Sequence, residues 1–121
     1  MKPTWQSDDG NVKLYNANCL DVLQQMKSGS VAAVVTDPPY GIDLKYNVYE
    51  DSYKNWLALM NSVIPQLKRV SKFTVMPSCQ IKRIGWWYAN HAPDWMIAWH
   101  KGSPGHQGGV LHRQHGPARP S

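Results

Sequence analysis

Cysteine is scarce in this 121-residue chain: Cys19 and Cys79 form no metal-ligand spacing and no disulfide framework, so each is expected to be a small buried or half-buried hydrophobe. No apolar run approaches the length of a membrane span, and the first residues lack the basic and apolar segments of a secretory leader. The expected location is the cytoplasm, where a disulfide would not persist. Glycine-rich cofactor loops are missing too. Gly102, Gly105, Gly108 and Gly109 do not form a G-x-G-x-x-G after a buried strand, which excludes a dinucleotide-type turn there. Positive charge is thinner than the net +5 implies, because residues 1–100 carry ten Lys and Arg against eight acids. Lys101, Arg113 and Arg119 supply the remainder, so basicity is weak support for nucleic-acid binding.

What is present is concentrated in Val34-Val35-Thr36-Asp37-Pro38-Pro39-Tyr40. Val31 to Thr36 is an apolar, β-branched run without alternation, as in a strand covered on both faces of a parallel sheet. Two prolines stop it. Each fixes φ and removes a backbone donor, which frees neighbouring carbonyls to face a ligand beside the Asp37 carboxylate. An acid, a rigid carbonyl and an aromatic ring suit a planar amino-bearing ring, whose N–H groups need two acceptors and whose face needs a flat partner. The alternative is a strand-ending turn, since Asp-Pro and Pro-Pro are common loop punctuation.

The motif resembles the signature of the amino-methylating DNA methyltransferases, the N6-adenine and N4-cytosine group: an apolar pair, a free position, Asp or Asn, Pro, Pro and an aromatic. Val34 to Tyr40 fits it throughout, and the resemblance covers roughly residues 12 to 104. It implies an α/β fold, a partial doubly wound (Rossmann-like) methyltransferase sheet. The implied activity is transfer of a methyl group from S-adenosylmethionine to the exocyclic amine of a flipped base, adenine N6 first, with DNA as partner. Asp37 and Pro38 would hold the amine, Pro39 would stiffen the turn, and Tyr40 would stack on the base. Family members usually carry an acid where this chain has Asn18, in a segment facing the cofactor's adenine. Asn18 and Asp37 are thus candidate cofactor contacts, with Asn18 equally readable as a helix N-cap.

Elsewhere the pattern alternates strand and helix. Lys13 to Leu23 reads as a short strand and a helix with Leu20, Leu23 and Met26 on one face. Asp51 to about Arg69 places Tyr53, Trp56, Leu57, Met60, Ile64 and Leu67 at helical spacing, with Pro65 kinking or shortening the helix. Phe73 to Met76 predicts a strand, Pro77 to Gln80 a turn, Ile81 to about His91 a helix, and Trp95 to Trp99 a further strand. That order predicts a parallel sheet. Gly41 to Glu50 predicts a mobile loop over the site, in which Tyr46 and Tyr49 either stack on neighbouring bases or pack on the sheet edge. Trp86, Trp87, Trp95 and Trp99 read as core and interface residues. Lys68, Arg69, Lys72, Lys82 and Arg83 would either meet phosphates or stay solvated.

The organisation expected is a partial methyltransferase domain over residues 1–100 and a disordered Gly/Pro/His-rich tail over 101–121, whose His106, His112 and His115 lack a scaffold for a metal. In permuted family members the catalytic half precedes the cofactor half, so the resemblance implies a truncated N-terminal catalytic half. Half a sheet would expose an edge and an apolar face, inviting self-association or a second chain that supplies the cofactor half. Two further readings stay open: a nucleic-acid-binding remnant without activity, and an amino methyltransferase acting on RNA or a protein amide.

Overall fold

The structure, a computed structural model, describes residues 1–77, 81–100 and 102. The predicted turn over Ser78 to Gln80, the reading of Cys79 and almost all of the 101–121 tail, its histidines included, lie outside the described residues.

Strands β1 (Trp5–Gln6) and β2 (Lys13–Leu14) form an antiparallel ribbon with Trp5 opposite Leu14. Asp9 organises its turn. Its Oδ1 accepts from Ser7 Oγ at 2.6 Å and Asn11 N at 3.0 Å, while Gly10 takes φ 73°, a left-handed conformation glycine adopts freely. The Ser7 hydroxyl first, then Asn11, lowers the Asp9 pKa. Helix α1 (Cys19–Gln25) begins at Asn18, whose Oδ1 accepts from Leu20 N at 2.9 Å. Asp21 sits in its first turn, where the helix dipole favours a carboxylate.

Strand β3 (Val31–Val35) pairs in parallel with β4 (Ser71–Val75), and the 18-residue helix α2 (Tyr53–Val70) is the crossover between them. Ser52 caps α2 by accepting from Asn55 N at 3.2 Å. The helix buries Trp56, Met60, Val63, Ile64, Leu67 and Val70, a single stripe that meets Leu23 of α1 and, from helix α3 (Ile84–Asn90), Trp87. Pro65 neither shortens α2 nor stops it. It lies on the exposed side, where the Asn61 carbonyl four residues back can turn to water. Tyr53, expected on the buried stripe, is half exposed, and Val63 takes a core place instead.

Three sequence expectations give way. The described residues hold one parallel pair and one antiparallel ribbon, a mixed α/β arrangement with small sheets, and no doubly wound sheet is formed among them. β3 is not covered on both faces: Val34 packs on the core, whereas Val35 is 82% exposed and its neighbour across the ladder, Val75, is 55% exposed. Among the described residues, helices pack against one face of the pair. Trp95 to Trp99 forms no strand, and Trp95, Ile97 and Trp99 are exposed rather than core residues. Trp86 and Trp87 do join the interior, with Trp56, Trp86 and Trp87 ring centroids 4.8 to 5.9 Å apart. No helix among the described residues is long and apolar enough to cross a membrane.

Candidate functional site

The ladder of β3 ends where the sequence chemistry says it must. Thr36 N makes the last bond, to Val75 O at 3.1 Å, and Pro38 and Pro39 have no N–H with which to continue. The chain leaves the sheet at its carboxyl edge, the side on which open α/β sheets hold ligands. A cleft of about 250 Å³ opens there. It is lined by Thr36, Asp37, Pro38 and Pro39 after β3, by Leu59, Met60 and Val63 of α2, by Met76 after β4, and by Cys19 at the start of α1.

Asp37 is exposed, and Tyr40 turns back toward it: the Tyr40 hydroxyl donates to Asp37 Oδ1 at 2.5 Å. Gly41 then takes φ 66°, and a Cβ there would lie 2.6 Å from the Trp56 Cβ, so only glycine fits. Its N–H donates to Asp51 Oδ1 at 2.7 Å, and its carbonyl accepts from Arg83 Nη2 at 2.7 Å. Asp51, 2% exposed, also accepts at Oδ2 from Ile42 N and Leu44 N, both at 3.1 Å.

Asp37, Pro38 and Pro39 therefore share one cleft, with Tyr40 tethered to it through Asp37. Tyr46 and Tyr49 do not line it. They border a separate concavity of about 370 Å³ with Asp43, Leu44, Lys45, Glu50 and Asp51. Their rings meet edge-on at 6.0 Å, and an isolated antiparallel backbone β-bridge between Lys45 and Glu50 closes the loop. Burial raises the Tyr49 pKa, the Asp51 and Tyr46 charges adding to it, and its hydroxyl finds no partner among the described residues. Asn18 has one side-chain oxygen lone pair engaged as the α1 cap, which leaves its amide nitrogen and the second lone pair for a ligand.

Two basic residues are taken out of contention for phosphates. Arg83 is 6% exposed, with its guanidinium 4.3 Å from the Tyr53 ring centroid and 4.5 Å from that of Trp56. Arg69 is turned inward to Leu23 O at 2.7 Å and Met26 O at 2.8 Å. Cys19, expected to be buried or half-buried, is exposed, because as first residue of α1 it lines the cleft rather than the core. Sequence reasoning missed Cys19, Asp51 and Arg83 as parts of this region. Asp51 carried a faint signal as the last acid before a capped helix, whereas nothing local marks Arg83 as a partner of Gly41, 42 residues away.

An acid-and-proline turn at the carboxyl edge of a parallel βαβ pair is the class of site defined here. The chain is similar over short stretches to methyltransferases. It is 38% identical over 40 residues to the Type II methyltransferase M2.MboI of Moraxella bovis, covering 33% of this chain and 15% of that protein. It is 31% identical over 67 residues to the Type II methyltransferase M.BamHI of Bacillus amyloliquefaciens, covering 47% of this chain and 15% of that protein. The similar stretch is thus about one-seventh of each relative's length. No family model and no solved structure matches the chain.

Proposed function

We propose that residues 1–100 form the base-holding part of an S-adenosylmethionine-dependent DNA methyltransferase acting on an exocyclic amine, adenine N6 first. One observation carries the reading: the Asp37 carboxylate stands beside the Pro38-Pro39 turn in a cleft at the end of a parallel strand, with the Tyr40 ring tethered to it. An amine conjugated with a base ring is a poor nucleophile because its lone pair is delocalised. Hydrogen bonds from its two N–H groups to Asp37 and the Pro38 carbonyl draw the nitrogen toward tetrahedral geometry and localise that pair. Tyr40 covers the base face and offsets part of the unpairing cost of extruding the nucleotide.

When bound, the donor supplies the methyl group as a sulfonium. The described residues do not enclose it. The cleft falls below the roughly 300–1,000 Å³ of sites that hold ligands of that size. The open apolar face around Val35 and Phe73 supports self-association, or a second chain that completes both the donor site and a doubly wound sheet. The same shortfall supports a second reading, a nucleic-acid-binding remnant without activity.

The test is transfer of tritiated methyl from S-adenosylmethionine, in the cytoplasmic pH range, to unmethylated DNA, RNA and a glutamine-containing peptide. Label on DNA adenine that disappears with Asp37→Ala supports the reading. DNA binding without label or donor binding supports the remnant, and label on RNA or peptide reassigns the substrate.

A further inference from the structure

The residue after Tyr40 is held by two buried charges. Asp51 and Arg83 are 2% and 6% exposed, and burying an ion is unfavourable unless it is well bonded. Both are bonded to the same short stretch of main chain. The Tyr40–Gly41 peptide is gripped through Gly41 N by Asp51 Oδ1. The Gly41–Ile42 peptide is gripped at both ends, through its carbonyl by Arg83 Nη2 at 2.7 Å and through Ile42 N by Asp51 Oδ2 at 3.1 Å. Two consecutive peptide planes are thereby oriented. A left-handed turn requires only that position 41 be glycine, so two buried ions exceed what the turn itself needs.

The clamp is itself immobilised. The Arg83 guanidinium lies against the Tyr53 and Trp56 rings, with centroids at 4.3 and 4.5 Å, and so is fixed to the first two turns of α2. Its Nη1 is buried without a partner among the described residues, an unfavourable arrangement that packing nevertheless maintains. Asp51 also holds Leu44 N at 3.1 Å, so one carboxylate ties the start of the Tyr46–Tyr49 loop to the turn that carries Tyr40.

We propose that Asp51 and Arg83 are positioning residues that set the Tyr40 ring and, through its hydroxyl, the Asp37 carboxylate, by clamping the two peptide planes on either side of Gly41. The inference rests on the base-holding reading of Asp37 to Tyr40. It adds that the site's geometry is imposed from the residues leading into α2 and α3 rather than by the prolines alone. Neither Asp51 nor Arg83 lines the cleft that Asp37, Pro38 and Pro39 share.

The test uses the full chain with tritiated S-adenosylmethionine and unmethylated DNA, comparing wild type with Asp51→Asn and Arg83→Lys. Arg83→Lys keeps a charged stem over Trp56 but loses the fork that reaches Gly41 O. Both variants are expected to lower kcat by about 10- to 100-fold with KM for the donor unchanged, the size of effect a displacement near 1 Å produces. Melting by circular dichroism gives the folded fraction, and if Asp51→Asn does not fold, Arg83→Lys decides alone. Wild-type kcat in a folded variant overturns the positioning role while leaving the base-holding reading intact. A fall in rate that only follows the folded fraction also overturns it. If wild type transfers no label, the comparison is read from binding of a duplex with an unpaired base: equal affinity of the folded variants and wild type overturns the positioning role, and no binding by wild type overturns both.

Discussion

The Tyr40 hydroxyl and Asp37 Oδ1 are 2.5 Å apart, a hydrogen bond that closes a ring across the two intervening prolines. Pro38 and Pro39 restrict the backbone between them, so the bond links two side chains whose Cα positions are already constrained. At this length it is of the charge-assisted kind, and it leaves Oδ2 for a donor on a ligand. Tyr40 thus has two separable properties, a ring face and a hydroxyl. Tyr40→Phe keeps the first and removes the second. Base affinity is expected to stay within about threefold while single-turnover methyl transfer falls about tenfold, one lost hydrogen bond's worth. Tyr40→Ala should weaken binding of an unpaired base by about 1–3 kcal/mol, and Asp37→Ala should slow transfer on the order of 100-fold or more. Equal binding by Tyr40→Ala and wild type in a fluorescence titration with a mismatched duplex would refute stacking.

Gly41→Ala combines two penalties: a left-handed backbone at φ 66° and a Cβ 2.6 Å from Trp56 Cβ. The first costs about 1–2 kcal/mol, and overpacking adds about 1–3 kcal/mol. Urea unfolding should show a loss of roughly 2–5 kcal/mol, the sum of those two ranges. A loss below about 0.5 kcal/mol would mean that the turn relaxes freely.

Arg69 ties the carboxyl end of α1 to α2. Its guanidinium donates to Leu23 O at 2.7 Å and Met26 O at 2.8 Å, and its own carbonyl accepts from Gly29 N at 2.9 Å. Arg69→Ala removes the guanidinium bonds to both carbonyls, leaving Leu23 O only the Met26 N–H, and is expected to destabilise by about 1.5–3 kcal/mol, measured by the midpoint of urea unfolding. Salt up to 1 M should change the wild-type midpoint little, because the contacts are partly buried bonds to carbonyls rather than a surface ion pair.

His91 caps α3, its ring 5.5 Å from that of Trp86 and its Nε2 3.1 Å from Asn61 Oδ1. Burial first and the Lys68 charge second hold its pKa below the ordinary 6.5. The unfolded chain therefore takes up the proton more readily than the folded one, so His91's contribution is complete above about pH 6.5 and is lost as pH falls below it. The melting temperature should drop between pH 7.5 and 5.5, and His91→Gln should flatten that part of the profile. An unchanged slope in the variant would place the pH dependence elsewhere.

The open sheet face carries Val35 and Phe73, 82% and 61% exposed, with Lys72 Nζ 5.6 Å from the Phe73 ring. Val35→Thr with Phe73→Thr is expected to raise solubility and reduce light scattering, with stability changed by about 0.5 kcal/mol or less at sites that make few contacts.

Short-range chemistry made much of this molecule readable in advance. Pro38 and Pro39 end β3 because they have no N–H. Leu20 and Leu23 share a helical face because of the 3.6-residue repeat, with Met26 packing on the same core from just past the helix end, and Asn18 caps α1 because its oxygen reaches a free amide. The same local rules miscarried where a neighbour was needed. Val31 to Val35 reads as doubly covered, but covering depends on a second layer, and Trp95 to Trp99 reads as a strand, but a strand requires a partner's ladder. Cys19 reads as buried or half-buried and lines the cleft instead. The Asp37–Tyr40 motif was legible because its residues are consecutive. The clamp on Gly41 was not, because Asp51 and Arg83 lie 10 and 42 residues away and only the packing of α2 and α3 brings them to one peptide. Residue type and spacing settle what a segment can do with its own backbone, whereas the partner of a buried charge is set by which distant surfaces exclude water together.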